Sequence, residues 1–99
     1  MKVNDELFEL RGYQCRVRKI SSSVREPWYC GYVRLKNEPE FNVKNIRVHG
    51  GITYEEIESD GLWIGFDCAH YGESILFQNR AYVIVEISSM IDQIEGANK

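Results

Sequence analysis

Apolar and polar positions alternate along much of this chain until about residue 80, where the spacing changes. In 13–20, Tyr13, Cys15 and Val17 alternate with Gln14, Arg16 and Arg18, the period of a half-buried strand. The segment YCGYVRL at 29–35 is rich in aromatic and β-branched residues and predicts a second strand. IRVHG at 46–50 predicts a third, with ITY at 52–54 as a short continuation or edge. LWIGFDC at 62–68 is the strongest strand signal: Leu62, Ile64, Phe66 and Cys68 share one face, and Trp63, Gly65 and Asp67 share the other. NDELFEL at 4–10 fits a short helical turn or an edge strand. Pro27 closes one loop, Pro39 lies in a second, and the acids Glu55, Glu56, Glu58 and Asp60 before Gly61 read as a solvated turn.

From residue 81 the spacing becomes three and four. Val83, Ile87, Met90, Ile91 and Ile94 form one apolar helical stripe. YVIVEI alone would suit a strand, but Glu86, Asp92 and Glu95 punctuate the segment at helical spacing. The expectation is a helix near 80–95, with Asn79 as its N-cap and Gly96 as its stop. The order is strands, then a helix. The economical architecture is α+β: a single antiparallel sheet of four to five strands packed by the C-terminal α-helix. At 99 residues the chain reads as one domain, 1–99, with its core at about 12–94.

Composition narrows the function classes. At 43% hydrophobic and 27% charged residues a folded rather than disordered chain is expected, and unbroken apolar runs of only a few residues are too short to span a membrane as a helix. MKVNDELFEL lacks the long apolar stretch of a secretory signal, so a cytoplasmic protein is expected. Cys15, Cys30 and Cys68 are odd in number and make no CxxC, which predicts buried, reduced thiols. Residues 1–35 carry seven basic and four acidic side chains, and residues 36–99 carry five and eleven, for a net charge of −3. That balance argues against duplex nucleic acid as a partner. The acids Glu55, Glu56, Glu58 and Asp60 form a negative patch suited to a basic partner protein, with Trp28 and Tyr29 as accompanying exposed aromatics.

Titratable groups gather beside glycines in two blocks: Val48-His49-Gly50-Gly51-Ile52-Thr53-Tyr54, and Gly65 to Glu73. Gly50 and Gly51 allow a close approach of backbone to a ligand, and strand ends are where sites are built. These blocks, HGGITY and LWIGFDCAHYGE, resemble a family of small phage- and prophage-encoded proteins. Its members carry HGG(L/I)T(Y/F), then WxGFDCAHxGD, then a C-terminal helix. Gly31-Tyr32-Val33 matches an upstream GYV block, and the resemblance covers roughly residues 12–94. Glu73 stands where the family usually has Asp, which keeps the carboxylate. The resemblance implies a phage or prophage origin and action in the host cytoplasm.

Four readings follow from the blocks. The first is a pocket for a nucleotide-like ligand built from His49, Gly50, Gly51, Trp63, Asp67, Cys68, His70, Tyr71 and Glu73. In it Trp63 or Tyr71 stacks a base, and Asp67 accepts from a ribose hydroxyl. The second is a metal site of His49, Cys68 and His70, completed by Glu73 or water. The third makes Cys68 a nucleophile with His49 as its base. In the fourth these groups brace loop backbones and Cys68 packs inside. The leading expectation is a non-enzymatic counter-defence protein that sequesters a nucleotide-derived host signal without a cofactor. The alternatives are a protein-binding inhibitor of a host defence or nucleic-acid enzyme, acting through the acidic patch in the manner of an anti-CRISPR protein, and a small metal- or thiol-dependent hydrolase. A pocket in so small a domain is often completed by a second copy, so a homo-oligomer stays open.

Overall fold

The computed structural model describes residues 1–70 and 73–97. Five strands form one sheet: β1 (Lys2–Leu10), β2 (Tyr13–Ser21), β3 (Trp28–Arg34), β4 (Tyr54–Glu58) and β5 (Gly61–Asp67). Their order is β1-β2-β3-β5-β4, and every neighbouring pair is antiparallel. A single α-helix, α1 (Arg80–Ala97), packs on β2 and β3. The α+β architecture read from the hydrophobic pattern is therefore the one observed. No helix of the described residues is long and apolar enough to cross a membrane.

NDELFEL lies within the edge strand β1. Arg11 and Gly12, at φ 53° and 84°, join it to β2 through a two-residue turn with both central residues at positive φ. That hand of turn follows the natural twist of two strands. Tyr13, Cys15 and Val17 of β2, Val33 of β3, and Ile64 and Phe66 of β5 all enter the core under the helix. From the helix come the same five stripe residues: Val83, Ile87, Met90, Ile91 and Ile94. Close contact between helix and sheet depends on Gly31, where a Cβ would lie 2.7 Å from Phe66 Cε1 and 2.8 Å from Val83 Cγ1. Asn79 caps the helix, its Oδ1 accepting from Tyr82 N at 3.0 Å.

Three local expectations are corrected. Residues 46–50 do not pair as a strand. A short 3-10 turn (Val43–Asn45) turns this segment along α1, and side chains of the helix satisfy its backbone. Gln93 accepts from Arg47 N and donates to Arg47 O, both at 2.7 Å, and Glu86 accepts from His49 N at 2.9 Å. The acidic stretch is not all turn, since Tyr54–Glu58 is the edge strand β4 and only Ser59 and Asp60 turn. Gly96 does not stop the helix, which runs through it to Ala97. A Cβ there would meet nothing within 4 Å, so no packing marks the position.

The sheet face away from the helix carries its own cluster. Cys30, Tyr32 and Trp63 are buried there, with Ile20, Trp28 and Tyr54 against them. The Arg16 guanidinium lies 4.3 Å from the centre of the Trp63 ring and pairs with Glu58 at 2.9 Å. A cation over an indole face, itself neutralised by a carboxylate, lets this face close without a second layer.

Candidate functional site

β5 ends at Asp67, and the next residues bend back toward the glycine-bearing loop after Val48. Asp67 stabilises this exit: its Oδ1 accepts from Ala69 N at 3.0 Å, and its Oδ2 accepts from Thr53 Oγ1 at 3.2 Å. Thr53 N in turn donates to Gly65 O at 2.9 Å, which ties the two blocks together. His70 and Glu73 are joined by two hydrogen bonds. Glu73 Oε1 accepts from His70 N at 3.0 Å, and Glu73 N donates to His70 O at 3.1 Å.

These contacts bring His49, His70 and Glu73 to one point. One ligand atom from each lies within 4.8 Å of the others. His49 Nε2 pairs with Glu73 Oε2, and His70 Nε2 stands 3.8 Å from both Glu73 Oε1 and Asp67 Oδ1. The Glu73 side chain is only 13% exposed, whereas that of His70 is 45% exposed. The site is thus buried on the Glu73 side and open on the His70 side. Gly50 is required for this approach: a Cβ there would overlap His70 Nε2, and its φ of +71° also favours glycine. Gly51, at φ +80°, completes the turn, and a Cβ there would meet nothing within 4 Å.

The helix supplies two partners that sequence reasoning did not select. Tyr82 OH lies 2.6 Å from His49 Nδ1, and the two rings meet edge to face. Glu86, one turn further, accepts from His49 N. Burial, and then the nearby Glu86 carboxylate, raise the Tyr82 phenol above its ordinary pKa, so it stays a neutral hydroxyl. Their spacing of four on one flank of the helix was the available signal, and it lies beside the apolar stripe rather than on it.

The remaining candidates lie elsewhere. Trp63 is 3% exposed, beneath Arg16, and its Nε1 donates to Asp60 Oδ1 at 2.8 Å. Four strand residues, about 13 Å, separate it from Asp67, so it cannot stack a ligand held at His70. Cys68 is buried in the core, and burial first, then the Glu73 carboxylate, push its thiol up to about 12. That environment disfavours the thiolate a nucleophile needs, and Cys68 is not in the His49–His70–Glu73 group. All three cysteines are free and buried. Tyr71 lies outside the described residues.

Of the acidic patch, Glu58 is held by Arg16 and by Tyr54 OH, and Asp60 by Trp63 and Arg34. Glu55 and Glu56 remain exposed on β4. Trp28 and Tyr29 are half-buried rather than exposed, with the Arg25 guanidinium 4.3 Å from the Trp28 ring centre. A wide groove runs between the loop after Leu35 and the edge strand β4, away from the histidines.

By fold and site the chain is a sheet-and-helix α+β domain with a histidine–carboxylate cluster where β5 ends. No family model, curated protein or solved structure matches it.

Proposed function

We propose that this is a phage- or prophage-encoded counter-defence protein that binds a small nucleotide-derived host signal in the host cytoplasm and sequesters it without turnover. The observation that carries the reading is the convergence of His49, Gly50, Asp67, His70 and Glu73 from two separate loops. Imidazole nitrogens and carboxylate oxygens there suit the hydroxyl groups of a ribose. His70 faces outward, so a ligand reaches it without unfolding the loop. A bare phosphate meets the carboxylates of Asp67, Glu73 and Glu86 and is repelled, so its charge must arrive neutralised. The test is calorimetric titration with linear and cyclic adenine or guanine nucleotides and ADP-ribose derivatives, with and without a divalent cation. Binding to the wild type is expected, weakened about tenfold to a hundredfold by His70→Ala, which removes one polar contact worth about 1.5–3 kcal/mol. The reading fails if the wild type binds none of them.

A second reading keeps a specific observation of its own. β4 is an edge strand that carries Glu55, Glu56 and the 85% exposed Ile57 beside the wide groove. Such an edge suits a protein partner that adds a strand, so an inhibitor of a host defence or nucleic-acid enzyme would use it. Charge reversal of Glu55 and Glu56 should abolish that activity and leave nucleotide binding intact.

A further inference from the structure

We infer that His49 Nε2, His70 Nε2 and a Glu73 carboxylate oxygen form a three-ligand site for a divalent transition-metal ion, zinc foremost, with the fourth position open to an anionic ligand. The inference shares the site of the ligand-capture reading, and rests on that reading only for what fills the fourth position.

Four observations carry it. The three donor atoms already lie within 4.8 Å of one another. Donors around one tetrahedral zinc, each at about 2.0–2.1 Å, are about 3.3 Å apart, so side-chain shifts of about an ångström complete the geometry. Glu73 Oε2 is buried, faces His49 Nε2 and, among the described residues, makes no hydrogen bond. With the His49 proton on Nδ1 toward Tyr82, an imidazole nitrogen and a carboxylate oxygen face each other, and a cation between them satisfies both. The third observation is Gly50: a Cβ there would overlap His70 Nε2, so the ring holds its present place only beside a glycine. The fourth is the supporting shell. Tyr82 OH meets His49 Nδ1, and His70 N holds Glu73 Oε1. Ligating histidines are oriented by such partners on their other nitrogen, and a hydroxyl can donate to or accept from Nδ1 as Nε2 binds or releases the ion.

The donor set selects the metal. Two imidazoles and one carboxylate suit zinc and its neighbours, whereas magnesium and calcium prefer oxygen alone. The same set holds zinc in hydrolases, where the fourth position takes water or substrate. Cys68, the sulfur the sequence offered, stays in the core. The carboxylates that repel a bare phosphate attract a cation, and a bound cation would then attract the phosphate.

The test uses the full chain, freed of metal by a chelator and dialysed against zinc, with metal per chain measured by mass spectrometry and affinity by calorimetry. Cobalt serves as a second probe through its visible absorption. One zinc per chain is expected, with binding at least tenfold weaker in His49→Ala, His70→Ala and Glu73→Gln. Tyr82→Phe should weaken binding about tenfold to a hundredfold, the usual range for a partner outside the ligands, and Cys68→Ala should leave it unchanged. Circular dichroism identifies any variant that fails to fold, and Gly50→Ala then tests the same ligand set by excluding His70. No zinc uptake by the wild type overturns the proposal, as does wild-type affinity in the folded ligand variants. Zinc binding without nucleotide binding sustains the metal site and sinks the capture reading. Equal nucleotide binding with and without chelator, in a protein that takes up no zinc, does the reverse.

Discussion

Trp63 and Gly50 illustrate how one residue's meaning depends on its neighbours. The indole looks like a stacking platform in the sequence. In the fold it is roofed by Arg16 and tied by its N–H to Asp60, so its role is to close the outer sheet face. Gly50 looks like a turn residue, and here it makes room for an imidazole. Gly50→Ala should therefore cost about 1 kcal/mol through its positive φ and weaken zinc uptake at least tenfold by displacing His70. A variant that loses stability but binds zinc normally would show that the glycine is not needed to seat His70. Cys68 is judged by access. With its thiol buried and pushed up to about 12, and Cys15 and Cys30 each raised by burial to about 11, labelling at pH 8 should proceed only as the protein opens. Rapid labelling of Cys68 in the folded protein would contradict its burial.

At the scale of elements, α1 bears the heaviest structural duty. Ile87 is fully buried in the helix–sheet core. Ile87→Asp places an unpaired charge there and should cost several kcal/mol, a large share of the stability of a small domain. Gly31→Val acts on the same contact from the sheet side, where the new side chain meets Phe66 and Val83. Overpacking of this kind costs about 1–3 kcal/mol. Urea denaturation checks both, and an unchanged midpoint in either variant would mean that the helix does not dock there. The helix also organises the site, because Tyr82 and Glu86 hold His49 while the neighbouring apolar stripe is in the core. Losing the helix should therefore remove the ligand site together with the fold.

Over the whole molecule, arginines and carboxylates pair across strands both adjacent and distant in sequence. Arg18 meets Asp5 at 2.7 Å between β1 and β2, and Arg16 of β2 reaches Glu58 of β4. The Arg18 hydrogen bond holds Asp5 below its ordinary pKa, and the Arg16 hydrogen bond does the same for Glu58. A carboxyl depressed in the folded state adds stability that is fully present above its unfolded pKa and is lost as pH falls through the folded one. The urea midpoint should stay level from pH 7 to about 5 and decline below about pH 4, where unfolded carboxyls begin to take up protons. Glu58→Gln should lower the midpoint at neutral pH and make the acid decline shallower. A midpoint that stays level down to pH 3 would show that these pairs contribute little.

The elements were written in the chain itself. Alternation marked β2 and β5, aromatic and β-branched content marked β3, the three-and-four spacing marked α1 and all five of its core residues, and Asn79 marked its start. Those signals are local, because strand and helix periods act over neighbouring residues. The pairing of HGG with DCAH was also legible, since polar groups beside glycines at the ends of apolar runs have few other places to go. Tertiary structure decided which of those groups meet. It left 46–50 out of the sheet, with helix side chains satisfying that backbone, and it made an edge strand of the acidic stretch by pairing it with β5, where Arg16 meets Glu58. It placed Glu73 rather than Cys68 beside the two histidines, since an apolar face under the helix claimed the sulfur. Each of these outcomes rests on a partner distant in sequence, and no local period encodes that partner.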